Sequence, residues 1–250
     1  PVSITHLHLR GAIDFCRDSF KLIADKCPYL QSLDVALCNI DWQCLKGIGG
    51  NNFRSLDRLL VGNNPLDVPS LAVLSALPKL AQLHLDRVEA LDDRVFAALD
   101  ACKKKLKWLD LSSCRAIGKT SDFKGLSAFD RLETLDLSYT SFRDSQLRES
   151  GNTFPGLKRL RIGGTQIGNY ALEEIFKPNT LTCESLENFE AYYCPSISNL
   201  TPLKNAPKLT TVRFEGCSGL GSEIDELAGD QHPHRLLQLT HKYDDSNIGT

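Results

Sequence analysis

The chain has 250 residues, 42% of them apolar and 24% charged, with 29 Lys and Arg against 31 Asp and Glu. These fractions exclude global disorder, and a net charge of −2 removes the electrostatic case for nucleic acid or an acidic membrane surface. No apolar run approaches the roughly 20 residues that cross a bilayer, and His6, His8, Arg10 and Asp14 spoil any secretory signal near the start.

In chain order, one block recurs: apolar, two variable, apolar, one variable, apolar. It runs through Ile4-Leu7-Leu9, Leu30-Leu33-Val35, Leu56-Leu59-Val61, Leu80-Leu83-Leu85 and Leu106-Leu109-Leu111. It continues through Leu132-Leu135-Leu137, Leu157-Leu160-Ile162, Leu186-Phe189-Ala191 and Leu209-Val212-Phe214, with a weaker tenth at Leu236 and Leu239. The starts lie 23 to 29 residues apart. The alternating part of each block predicts a short strand with one buried face. Between blocks, the 3.6-residue spacing predicts helices. Residues 18–26 align Phe20, Ile23 and Ala24; residues 69–77 align Leu71, Leu74 and Leu77 behind a Pro; residues 92–102 align Val95, Phe96 and Leu99. Leu172, Ile175 and Phe176 repeat the spacing. The unit that starts at Leu157 has 29 residues, and its extra length predicts a loop over residues 177–183. No unit can bury its apolar face alone, so stacked neighbours complete the core and the strands form a parallel sheet.

The ninth position of the successive blocks is Ala12, Cys38, Asn64, Val88, Cys114, Thr140, Thr165, Cys194 and Cys217. With the blocks above, this pattern resembles the leucine-rich repeat family over essentially the whole chain. The period near 26 and the ninth-position cysteines resemble its cysteine-containing subclass, most closely in CPYLQSLDVALCNID and LKWLDLSSCRAIGKTSDF, although Asn64, Thr140 and Thr165 make the pattern mixed. The resemblance implies an α/β solenoid, a horseshoe with parallel strands on the concave face and helices on the convex face. The expected organisation is a single domain, 1–250, of about ten repeats, with residues 230–250 as a C-terminal cap or tail. Pro1, the absence of methionine and the lack of a polar cap before Ile4 lead us to expect further sequence upstream.

Seven of the nine cysteines fall on repeat positions: Cys38, Cys114, Cys194 and Cys217 at the ninth, and Cys27, Cys102 and Cys183 just before a block. Such a position needs a small side chain that bonds weakly to a turn, so we expect buried, reduced thiols in the cytoplasm or nucleus; Cys16 and Cys44 are left over. No C-x-x-C pair supports zinc, and no nucleophile elbow or phosphate-binding glycine loop is present. His232 and His234 read as a terminal loop, and Gly47, Gly49 and Gly50 as a turn. Lys103, Lys104, Lys105 and Lys107 read as a solvated helix end, and the Asn199 sequon as a chance triplet. We expect no catalytic residue, no cofactor and no metal.

The expected binding surface is the concave sheet, onto which the third, fifth and seventh positions project. There His6, His8 and Arg10 come first. At the centre Asp86, Trp108, Asp110 and Asp136 form an acidic patch around one exposed aromatic anchor. Arg159 and Arg161 make a basic step, followed by Glu190, Tyr192 with Tyr193, Arg213 and Glu215. Alternating charge suits a protein or peptide of mixed charge, bound by a monomer, rather than nucleic acid or membrane. The expected function is a non-catalytic interaction module. The subclass resemblance implies a role like that of the substrate-recognition part of F-box proteins in ubiquitin ligases, or of a similar intracellular regulator. Two alternatives are a ligand-binding ectodomain of a receptor or secreted effector, and a scaffold attached to a catalytic domain outside this sequence.

Overall fold

In a computed structural model of the chain, described over residues 3–48, 52–120, 123–150, 154–221 and 238–240, ten three-residue strands form one parallel sheet in sequence order. The elements run β1 (His6–His8), α1 (Arg17–Lys26), β2 (Ser32–Asp34), α2 (Trp42–Leu45), β3 (Arg58–Leu60), α3 (Ser70–Ser75) and β4 (Gln82–His84). Next come α4 (Val95–Ala98) with a 3-10 turn (Asp100–Cys102), β5 (Trp108–Asp110), a 3-10 helix (Lys124–Ala128), β6 (Thr134–Asp136), α5 (Asp144–Ser150) and β7 (Arg159–Arg161). The series closes with α6 (Asn169–Ile175), α7 (Leu181–Ser185), β8 (Asn188–Glu190), a 3-10 helix (Thr201–Asn205), β9 (Thr211–Arg213) and β10 (Gln238–Thr240).

Each strand occupies the third to fifth positions of its block, and adjacent strands pair position for position, as in Leu33 with Leu59 and Leu59 with Leu83. The chain is therefore a solenoid with strands on its concave face and helical segments on the other side of the core. First, fourth and sixth positions fill that core: Leu80, Leu83, Leu85, Leu106, Leu109 and Leu111 are all fully buried. Burying one such side chain contributes about 1.5–3 kcal/mol, repeated in every unit. In the first repeat Ile4, Leu7 and Leu9 pack against the same core but stay partly exposed, because they have a neighbour on one side only. Behind the strands phenylalanines stack from unit to unit, with Phe123 lying 5.1 Å from Phe96 and 5.2 Å from Phe142 between ring centres.

One helix and one loop expectation need correction. The helix expected over 92–102 is cut to α4 and a 3-10 turn, because Asp92 is drawn into a bridge with Ala116 of the next unit. Two other units carry only 3-10 helices, whose tighter winding spans a short connection. The loop expected over 177–183 is partly helical: α7 starts there, with the Thr180 hydroxyl accepting the Cys183 amide at its N-cap.

The turn after each of the first nine strands has one conformation. Its eighth-position residue is left-handed in all nine units: Gly11, Leu37, Asn63, Arg87, Ser113, Tyr139, Gly164, Tyr193 and Gly216, with φ between 53° and 74°. A side chain at such a φ costs about 1–2 kcal/mol, so the repeat geometry overrides local preference at Leu37, Arg87 and the two tyrosines. His232, His234, Gly49, Gly50 and, apart from β10, the expected cap at 230–250 lie outside the described residues.

Candidate functional site

Parallel stacking in register sets each fifth-position side chain about 4.8 Å from its counterpart in the next unit. Charges there are decided by their neighbours. His84 Nδ1 lies 3.4 Å from Asp110 Oδ2. Arg161 stands between Asp136, at 3.8 Å, and Glu190, at 3.1 Å. Arg213 reaches Glu190 at 3.7 Å and Glu215 at 3.3 Å. The acidic patch and the basic step read from the sequence thus meet in one ion pair, Asp136 with Arg161, which continues to Glu190 and Arg213. Arg159 stands apart on the exposed third position, between Thr134 and Asn188 in register.

The aspartates of this column also hold the turns. Oδ1 of Asp34, Asp110 and Asp136 accepts the backbone N–H two residues on, at Ala36, Ser112 and Ser138. This is the Asx arrangement that stabilises a tight turn. It explains Asp at the fifth position without reference to a ligand.

Like charges meet at the centre. Burial, and then the Asp110 charge on the neighbouring strand, push the Asp136 carboxyl up to about 6. The same two causes, in the same order, raise Asp86. Burial works against the ionised form of Asp110 too, but hydrogen bonds from His84 and Ser112 outweigh it and hold this carboxyl below its ordinary value. One ionised aspartate therefore lies between two that resist ionisation.

Trp108 is less open than expected of an exposed anchor. It is only partly exposed, because strands so closely spaced crowd it from both sides, and its ring lies 5.6 Å from that of His84. Trp108 Nε1 and His84 Nε2 are buried and have no hydrogen-bond partner among the described residues. Tyr192 leans back over Gly163, where any Cβ would collide with its ring, and lies 5.8 Å from Tyr139 and 5.9 Å from Tyr193.

The ninth position forms a polar ladder inside the turns. The Cys38, Cys114 and Cys217 thiols donate to the sixth-position carbonyls of the preceding unit, at Leu9, Leu85 and Ala191. Asn64 donates to Val35 and Val61 and accepts the Cys38 and Ile40 amides. Thr140 and Thr165 donate to their own units, at Leu137 and Ile162. All nine cysteines are free; the seven on repeat positions are buried, and the two left over, Cys16 and Cys44, are not. Burial pushes the Cys102 and Cys114 thiols up to about 11 and about 12, which makes them packing groups rather than nucleophiles.

A family model described as Leucine Rich repeat matches residues 26–41, one unit of a pattern that the structure repeats along the sheet. The fold is that of a leucine-rich repeat solenoid. Among solved structures this leucine-rich repeat chain resembles internalin C2 of Listeria monocytogenes, with a TM-score of 0.57 and 19% identity over 90% of this chain and 84% of the other. It also resembles internalin F of the same organism, with a TM-score of 0.52 and 19% identity over 86% of this chain and 58% of the other. In sequence it is 25% identical to the BTB/POZ domain-containing protein FBL11 of Arabidopsis thaliana, over 90% of this chain and 22% of that protein. The leucine-rich repeat chain thus spans about a fifth of that relative's length.

Sequence reasoning missed His84 as the partner of both Asp110 and Trp108, although its place in the fifth column was legible. It also passed over the eighth position, which carries Tyr139 and Arg87. A signal was available: Arg87, Ser113 and Tyr139 recur 26 residues apart. Among the described residues no helix of this leucine-rich repeat chain is long and apolar enough to cross a membrane.

Proposed function

We propose that this leucine-rich repeat protein works as a non-catalytic interaction module, a single-domain monomer that takes a peptide or protein segment on its concave face around β4 to β6. One observation carries this reading. Trp108 Nε1 and His84 Nε2 are buried without partners beside Asp86, Asp110 and Asp136. The Trp108 Nε1–H, a donor only, costs about 1–3 kcal/mol while it is left unpaired, which a bound acceptor would recover. A cationic side chain on the same segment would favour the ionised forms of Asp86 and Asp136, and the indole would supply an aromatic face to it. The partner is accordingly a segment with a Lys or Arg next to a hydrogen-bond acceptor.

The role of substrate-recognition part in a ubiquitin ligase rests on the ninth-position cysteines and the subclass they resemble. Free thiols favour a cytoplasmic or nuclear setting. Affinity capture with the wild-type chain and with Trp108→Ala tests the concave reading. The variant should keep its circular dichroism spectrum and lose its partner; equal recovery of the partner by both proteins refutes the reading. Failure of ubiquitin-ligase subunits to copurify with the full-length protein would remove the narrower role alone.

A further inference from the structure

The turn side of the solenoid carries a second surface, separate from the concave strip. An open groove of about 810 Å³ runs across four units, from Asn63 to Tyr139, and its lining includes Arg87, Glu89, Arg115 and Lys119. Three cations face one anion there. Among the described residues, none of Arg87, Arg115 and Lys119 forms an ion pair. The contrast with the lysine run is direct. Lys103, Lys104 and Lys107 are bound to Asp100, Asp130 and Glu133, and Lys105 donates to the Leu77 carbonyl at 2.7 Å. The cationic stretch most visible in the sequence is consumed by the fold, while the groove's cations come from separate repeats.

The groove is built on a rigid base. Its floor loop, residues 116–120, is held from the preceding unit by Asp93, a buried carboxylate that accepts the Gly118 amide at 2.6 Å and the Thr120 amide at 2.8 Å, along with the Thr120 hydroxyl. From the following unit, Gln146 Nε2 donates to the Gly118 carbonyl at 2.9 Å, and the Ser141 hydroxyl donates to the Arg115 carbonyl at 2.8 Å. Gly118 has a φ of 88°, and a Cβ there would collide with the Phe142 backbone. Arg115 and Lys119 thus project from a backbone clamped on both sides. Arg87 and Tyr139 project from the left-handed eighth position, and the Tyr139 ring lies over Gly164, where a side chain would displace it. Tyr139 remains 46% exposed, an aromatic wall held in place at one end of the groove.

We propose that this rim groove is a second docking site, which binds an acidic peptide segment through Arg87, Arg115 and Lys119 and seats a neighbouring apolar side chain against Tyr139. Arginine forks match carboxylate and phosphate oxygens in two-point contacts, so the anion is a Glu, an Asp or a phosphorylated side chain. Charge complementarity selects the occupant. Glu89 within the groove and the chain's net charge of −2 disfavour a long polyanion such as nucleic acid. A short peptide places its anion at the cations and passes Glu89 with a neutral residue. The proposal is independent of the concave reading, which uses other residues and a partner of opposite charge.

The test is fluorescence anisotropy on the whole chain with three labelled peptides of equal length: Glu/Gly, phosphoserine/Gly and Lys/Gly, each with one Leu. Binding of either anionic peptide at about 0.1 M salt, lost at about 1 M where the Debye length falls to about 3 Å, supports the site, and the stronger of the two identifies the anion. Arg87→Glu combined with Arg115→Glu should weaken that binding at least about tenfold. Lys79→Glu combined with Arg131→Glu makes the same charge change before β4 and β6, at the opposite ends of the strands, and should shift it less than about twofold. The proposal is overturned if neither anionic peptide binds, if Lys/Gly binds as well, if the second pair of reversals weakens binding as much as the first, or if a single-stranded oligonucleotide binds more tightly than both anionic peptides.

Discussion

The fifth-position column on the concave face and the eighth-position column on the rim follow the same strands, three residues apart, and treat charge in opposite ways. On the concave face Arg161 is shared between Asp136 and Glu190, and Arg213 between Glu190 and Glu215. On the rim Arg87 points into an open groove, with Arg115 and Lys119 nearby. The difference originates in the backbone. Extended strands in parallel register hold side chains upright and side by side, close enough for opposite charges to pair and for like charges, as at Asp110 and Asp136, to raise a pKa. The left-handed residue at the eighth position turns its side chain out of that row: Arg87 is exposed to solvent, and Tyr139 lies flat over Gly164, its glycine counterpart in the next unit. In this solenoid a concave charge is first a structural element, whereas a rim charge is available to a partner.

The largest expected effect comes from beneath the rim. Asn64→Ala orphans the buried Cys38 and Ile40 amides together with two carbonyls and should cost about 3–5 kcal/mol in urea unfolding. Asn64→Cys restores a donor, as at Cys38 and Cys114, and should cost less than Ala. If Ala and Cys cost the same, the ninth-position ladder is packing rather than hydrogen bonding.

Next comes the crowded carboxylate of the concave column. The Asp136 pKa is raised by folding from 3.8 to about 6, so the folded state binds its proton more tightly than the unfolded state does. This group therefore lowers stability as pH rises from about 4 to about 6, by roughly 3 kcal/mol in all, and the loss is complete above that range. Asp136→Asn keeps an acceptor for the Ser138 amide and removes the charge. At pH near 7.5 it should gain about 2 kcal/mol, less than the full amount because the contact with Arg161 weakens, and at pH near 4 it should gain nothing. Unfolding curves at the two pH values would contradict a carboxyl raised by burial and by the Asp110 charge if the gain were equal at both.

The smallest effect is expected on the rim itself. Arg87→Ala removes an exposed side chain without an ion pair and should change stability by no more than about 0.5 kcal/mol. A loss above 1 kcal/mol would show that the eighth-position arginine serves the fold, and the contrast between the two columns would collapse.

The repeat, the register and the strand positions were legible in the residues because each depends on a short local pattern copied along the chain. Leu106, Leu109 and Leu111 predict their own burial, and the two cysteines left out of the pattern are the two that the structure leaves unburied. The helix over residues 18–26 was legible for the same reason and appears as α1. Other features had no such local signal. Whether Asp92 starts a helix depends on Ala116 in the next unit, and whether Lys104 is free depends on Asp130, 26 residues away. The sequence alone determined that this chain is a stack of repeats and which side chains line its core, since hydrophobic periodicity is a property of neighbours along the chain. Only the tertiary structure decided which charges are paired and which stand open. Pairing is a property of neighbours across the stack, where a few ångströms and one left-handed turn separate a neutralised ladder from a cationic groove.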